Sequence, residues 1–141
     1  MRFSNTVYIA RPVRDVFEYL ADFRNIPNWN YAISSAQQSP GPTKVGTTIR
    51  QTRTIPTPSE ETLEVSGFEP TRRLELRGQL GPFNGVMLYE LESSGGGTRL
   101  TNSADLKASG LLGLAASLAS ARVRDAVAQN LAVLKRILES Q

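Results

Sequence analysis

Hydrophobic and polar residues alternate near the start of the chain and again through its middle. Phe3, Val7 and Ile9 lie among polar residues at roughly two-residue spacing, which predicts a first strand of about eight residues. Six further strand-like runs are predicted, at about residues 31–38, 45–55, 60–69, 72–80, 84–93 and 97–108. Turn-rich segments such as Pro-Gly-Pro at 40–42 and Gly-Gly-Gly at 95–97 separate them. Seven strands joined mostly by short turns favour an antiparallel sheet.

Helical spacing replaces this alternation in two places. After the first strand, four apolar residues follow at i, i+3, i+4 and i+7: Val13, Val16, Phe17 and Leu20. Pro12 suits the first position of this short helix, and Asp22 is a plausible N-cap for a second short helical turn. From Leu111 to Leu138 apolar residues recur at three- and four-residue steps, which predicts one long amphipathic helix. The expected fold class is therefore α+β, in a single domain spanning residues 1–141.

Composition narrows the chemistry that is available to the chain. It has 141 residues, of which 40% are hydrophobic and 21% are charged, and it contains neither cysteine nor histidine. Disulfides, thiolate zinc sites, cysteine nucleophiles and the commonest general base near neutral pH are thereby excluded. No cofactor or metal is expected. Sixteen basic and thirteen acidic residues are spread along the chain, which gives no grounds for a nucleic-acid partner.

The N-terminus shows no charged segment followed by an apolar one, as a signal peptide would. The most apolar stretch, residues 111–121, is too short to span a bilayer. A cytoplasmic protein without stable membrane insertion is expected.

The order strand, two short helices, six strands and long helix resembles the START-like superfamily, and within it the polyketide cyclase/dehydrase-like or SRPBCC group. The segments that carry the resemblance are VYIARPV (7–13), VFEYLADF (16–23), IPNW (26–29), KVG (44–46), FEP (68–70), RRL (72–74) and GGTRLT (96–101). The resemblance implies a helix-grip fold, in which a curved seven-stranded antiparallel sheet wraps around the long C-terminal helix and leaves a cavity. The family includes lipid and steroid carriers, plant hormone receptors, aromatic cyclases, ring-hydroxylating oxygenase subunits and chaperone co-activators, so the fold does not choose the function.

Strand alternation proposes which side chains face such a cavity. In the last strand, Leu100, Asn102, Ala104 and Leu106 share one face, on which Asn102 is the polar exception. In the strand before it, two faces compete, and the one with Met87, Tyr89 and Leu91 is favoured over the one with Val86, Leu88 and Glu90. The full set of pocket candidates is Trp29, Ile49, Arg53, Leu76, Met87, Tyr89, Leu91, Asn102, Leu114 and Leu118.

Two interpretations of Arg53 are open. It either points into the cavity, where it would bind an anionic or polarised oxygen, or it lies solvated at the rim. Glu60, Glu61 and Glu64 on the next strand can pair with the arginines of this one.

The leading hypothesis is that the cavity binds a small hydrophobic ligand, such as a lipid, steroid, quinone or aromatic polyketide-like molecule, as a carrier or sensor. The glycine- and leucine-rich segment 110–114 is a candidate lid. One alternative is a polyketide cyclase/dehydrase-type enzyme, for which the sequence singles out no catalytic residue. A second alternative is a protein-interaction module whose cavity is filled by side chains. Homodimerisation is left open.

Overall fold

The computed structural model describes residues 1–108 and 112–141, and its description of side chains leaves out those of 112–119. Within these residues, seven strands form one antiparallel sheet in the order β1-β7-β6-β5-β4-β3-β2. Their bounds are Arg2–Ile9 (β1), Ile33–Gln38 (β2), Thr48–Arg53 (β3), Ser59–Glu69 (β4), Arg73–Leu80 (β5), Phe83–Ser94 (β6) and Gly97–Lys107 (β7). The predicted α+β fold, a curved seven-stranded sheet with a long C-terminal helix, is confirmed.

Short helical segments connect β1 to β2. Helix α1 spans Val13–Ala21, a 3-10 turn spans Phe23–Asn25, and helix α2 spans Ile26–Trp29. Pro12 was expected to be the first helical residue of α1. It instead lies at the N-cap position, directly before the helix. Asp22 caps the 3-10 turn as predicted, since its carboxylate accepts a hydrogen bond of 3.2 Å from the backbone N–H of Arg24. Pro27 lies in the first turn of α2, where its missing N–H costs nothing, so the helix continues to Trp29.

The long helix α3 spans Leu112–Glu139 and is held along β1 by its C-terminal half. Its buried side chains there, Leu131, Leu134 and Leu138, join the main hydrophobic core. Polar contacts add to this packing. The guanidinium of Arg11 donates to the carbonyl of Leu138 at 2.6 Å, a favourable place for a cation because helix carbonyls point outwards at that end. Lys135 Nζ donates to the carbonyl of Tyr8, also at 2.6 Å.

Two glycines face each other across β5 and β6, and each lies close to the backbone of the strand on its other side. Gly78 pairs with Gly85, and Gly85 in turn pairs with Leu106 of β7. A Cβ on Gly85 would collide with the carbonyl oxygen of Asp105, and a Cβ on Gly78 would lie 2.5 Å from that of Thr62. Glycines at such positions permit the sharp bending that a sheet needs in order to wrap a helix.

Gly85→Ala is expected to lower the free energy of unfolding by about 3 kcal/mol, because the new methyl group collides with backbone atoms that cannot rotate away. Gly95→Ala is the control, since a Cβ there meets nothing within 4 Å and only the positive φ of 56° is unfavourable. That variant should lose about 1 kcal/mol. Urea unfolding of both proteins measures the difference, and equal losses would contradict the proposed close approach of the strands.

Candidate functional site

A cavity of about 510 Å³ lies between the concave face of the sheet and the helices. The sheet, α2 and the described part of α3 all contribute apolar walls, among them Leu63, Leu74, Leu76, Met87, Trp29, Val123, Ala126 and Val127. The α3 residues on this wall are only half-buried, whereas Leu131 and Leu134 further along the helix are buried in the core. The helix therefore packs closely at its C-terminal half and leaves space beneath the turns before it.

Trp29 and Tyr89 form an aromatic wall of the cavity. Their rings meet edge to face, with centroids 6.5 Å apart and planes at 88°. Burial raises the pKa of the Tyr89 phenol far above its ordinary value, so the hydroxyl is neutral at physiological pH. This hydroxyl has no hydrogen-bond partner among the described residues, and it is available to a molecule in the cavity.

A compensated charge cluster lies beside the cavity where β3, β4 and the β5–β6 turn meet. The side chain of Glu61 is fully buried. Its carboxylate accepts hydrogen bonds from Arg53 Nε at 2.6 Å, Arg53 Nη2 at 3.1 Å, Gln51 Nε2 at 2.8 Å and the backbone N–H of Gly81 at 2.5 Å. These four bonds occupy both oxygens, and Arg53, which lines the cavity, has its charge balanced by Glu61.

Two buried asparagines have an amide oxygen without a partner in the described part of the chain. Asn130, on α3, lines the cavity, is 7% exposed, and its Oδ1 accepts no hydrogen bond. Asn102, on β7, is fully buried, and its Nδ2 donates to the carbonyl of Leu88 at 3.3 Å while its Oδ1 has no partner. Buried amide oxygens are normally paired, so each of these is an exception that requires a reason.

The pocket candidates from the sequence divide into three groups. Five of them line the cavity: Trp29, Arg53, Leu76, Met87 and Tyr89. Ile49, Leu91 and Asn102 are buried but do not belong to its described lining. Leu91 belongs to the same hydrophobic core cluster as Val16 and Phe17 of α1, so it is already covered. Leu114 and Leu118 lie outside the described side chains, as does the segment 110–114 that was predicted to form a lid.

Alternation found the strand residues but missed part of the lining. Asn130 was not among the candidates, although it follows Val127 by three residues and so lies on the same stripe of α3. Glu61 was expected only to pair with an arginine, which it does with Arg53. The turn residues Pro56 and Pro82 were also missed, because strand periodicity says nothing about turns. Ile55 was missed as well, at the end of a predicted strand that stops at Arg53 in the structure.

Among the described residues, no group of three acidic side chains is placed to hold a metal ion. In the described part of the chain, no helix is both long and apolar enough to cross a membrane.

Solved structures share this fold at low sequence identity. Protein TTHA0849 from Thermus thermophilus superposes with a TM-score of 0.82 at 15% identity, covering 99% of this chain and 98% of its own. The di-domain ARO/CYC StfQ of the steffimycin biosynthetic pathway gives a TM-score of 0.79 at 12% identity, covering 99% of this chain and 50% of its own. The Aha1 dimer from Colwellia psychrerythraea gives 0.71 at 15% identity, covering 99% and 96%. At these identities the likeness shows the fold alone.

No curated protein matches the sequence closely enough to count as a relative. A family model described as "Polyketide cyclase / dehydrase and lipid transport" does match, over residues 1–139. This confirms the resemblance seen in the sequence. Since the match covers nearly the whole chain, the protein belongs to the polyketide cyclase/dehydrase and lipid transport family.

Proposed function

We propose that the protein binds a small, largely apolar molecule in the cavity between sheet and α3, as a carrier or a sensor. The observation that carries this proposal is a cavity of about 510 Å³ with mostly apolar walls and few polar groups. Ligand sites in proteins have volumes of roughly 300–1,000 Å³ and the same character. Lipids, steroids, quinones and aromatic polyketide-like molecules are all of this kind, and the family description includes lipid transport.

A cyclase or dehydrase activity is the alternative that the family description and the StfQ neighbour support. Such an enzyme needs a group that can move protons to or from the bound substrate. Glu61, the buried carboxylate beside the cavity, already accepts four hydrogen bonds. Burial keeps the Tyr89 phenol neutral by raising its pKa, which suits a hydrogen-bond donor and not a base. These two groups therefore favour binding over proton transfer.

The interaction-module alternative requires a cavity that is filled by side chains. A volume of about 510 Å³ argues against that reading. Homodimerisation was left open by the sequence, and the Aha1 dimer, a likeness of fold, is the observation in its favour. The cytoplasmic location remains a prediction.

Native mass spectrometry of the purified protein, followed by solvent extraction, is the first test. A reproducible bound mass would identify the ligand class. Its removal should change the fluorescence of Trp29, because this residue lines the cavity and is the chain's single tryptophan. A protein without a bound mass, and without a Trp29 response to lipids, steroids, quinones or aromatic polyketides, would contradict the proposal.

Ala126→Phe is expected to weaken ligand binding by about tenfold or more, because the ring occupies cavity volume that the ligand needs. Ala132→Phe is the matched control, since Ala132 is exposed on the same helix. Titrations followed by Trp29 fluorescence compare the two variants, with thermal unfolding to show that both fold. Equal affinities in both variants would place the bound ligand outside the cavity.

Glu61→Gln is expected to destabilise the fold by about 3–5 kcal/mol, because it leaves the mostly buried Arg53 guanidinium without its carboxylate. The neighbouring Glu60→Gln removes an exposed carboxylate that accepts only from Thr52 Oγ1 among the described residues, and should cost less than about 1 kcal/mol. Chemical denaturation measures both values. A Glu61→Gln protein of unchanged stability would contradict the structural role of this carboxylate and would favour the enzyme alternative, with Glu61 as a catalytic group.

A further inference from the structure

We infer that the ligand is a neutral molecule with at least one hydroxyl group, and that this hydroxyl bonds to the side-chain amide of Asn130. The inference rests on the proposed function and makes it more specific. It follows from the charge state of the cavity and from the polar groups that the described residues leave unpaired there.

The cavity holds no uncompensated buried charge among its described lining residues. Arg53 and Arg122 are the charged residues on that lining. Arg53 is bound twice by Glu61, at 2.6 Å and 3.1 Å, and Arg122 is exposed to solvent. An anionic group inside the cavity would lose its hydration without gaining a free buried cation. A neutral ligand avoids this loss.

Asn130 supplies the polar contact that a neutral ligand would use. Its side chain is buried to 7% exposure and lines the cavity, and its Oδ1 has no partner in the described part of the chain. An amide offers an acceptor oxygen and a donor nitrogen, so a hydroxyl, which both donates and accepts, pairs with it whichever way the amide is turned. The unpaired Tyr89 hydroxyl on the same cavity offers a second contact of the same kind.

Neighbouring features do not provide this partner. The Gln51 amide on the same lining is held within the charge cluster, because its Nε2 donates to Glu61 at 2.8 Å. The amide of Asn102 has an unpaired oxygen as well, but it does not belong to the described lining of the cavity. Among the described lining residues, Asn130 is therefore the buried amide that no described group of the protein engages.

Three alicyclic probes test the inference: bicyclohexyl, 4-cyclohexylcyclohexanol and 4-cyclohexylcyclohexanecarboxylate. None has an aromatic chromophore, so Trp29 fluorescence reports their binding directly. Asn130→Leu should weaken binding of the alcohol by about tenfold while leaving binding of the hydrocarbon unchanged or stronger. In the unsubstituted protein the alcohol should bind more tightly than the carboxylate. Asn130→Ala provides a second variant that cannot overfill the cavity, and Gln129→Leu, exposed on the same helix, should change neither affinity.

The outcomes separate this inference from the proposed function. If no probe binds to the folded protein, the cavity-binding proposal itself fails. If the probes bind, but both Asn130 variants change the alcohol and the hydrocarbon alike, the hydroxyl contact is overturned and cavity binding stands. Tighter binding of the carboxylate than of the alcohol would overturn the inference that the ligand is neutral, and cavity binding would still stand.

Discussion

One long helix has to cover the concave face of a curved sheet, and the rest of the structure depends on how this is done. Helix α3 has 28 residues and is about 42 Å long at 1.5 Å per residue. It meets the sheet closely along β1, where Leu131, Leu134 and Leu138 are buried and Arg11 and Lys135 bond across to it. A helix of this length does not follow a curved surface over all of its turns. The turns around Val123 and Val127 therefore face open space, and the cavity is a geometric consequence of the curvature.

The curvature depends in turn on residues without side chains. Gly78 and Gly85 allow β4, β5, β6 and β7 to approach within distances that a Cβ would forbid. Close by, the turn at Gly81 donates its N–H to Glu61, which ties the bend to the buried carboxylate of β4. The turn that follows the bend therefore also helps to satisfy the buried carboxylate beside the cavity. A carboxylate in this position is tolerated because four donors satisfy it.

The sequence was sufficient for the fold because its periodicities are strong. Two-residue spacing located the first strand, and β-like runs between turn-rich segments located the other six. The three- and four-residue steps up to Leu138 located α3. Alternation also found the cavity wall on β5 and β6, including Leu76, Met87 and Tyr89, because the inward face of a strand is fixed once one residue is placed. It could not separate cavity from core along a strand. Leu91 shares the inward face of Met87 and Tyr89, yet it is buried in the hydrophobic core to which α1 contributes and does not belong to the described cavity lining.

Polar residues on an inward face were harder to interpret, because periodicity shows where a side chain points and not what it meets. Arg53 reaches the cavity lining but is paired with Glu61. Pairing with β4 was expected, but the specific partner follows only from the register of Arg53 and its neighbours with residues 59–61. Asn102 was recognised in the sequence as the polar exception on an apolar face, and the structure leaves its oxygen unpaired without a cavity to explain it. Nothing in the described residues accounts for that. Asn130 also has an unpaired amide oxygen, but its side chain lines the cavity, where a ligand can meet the amide group. The contrast shows that an unsatisfied buried amide becomes evidence about function only when the fold also provides space for its partner.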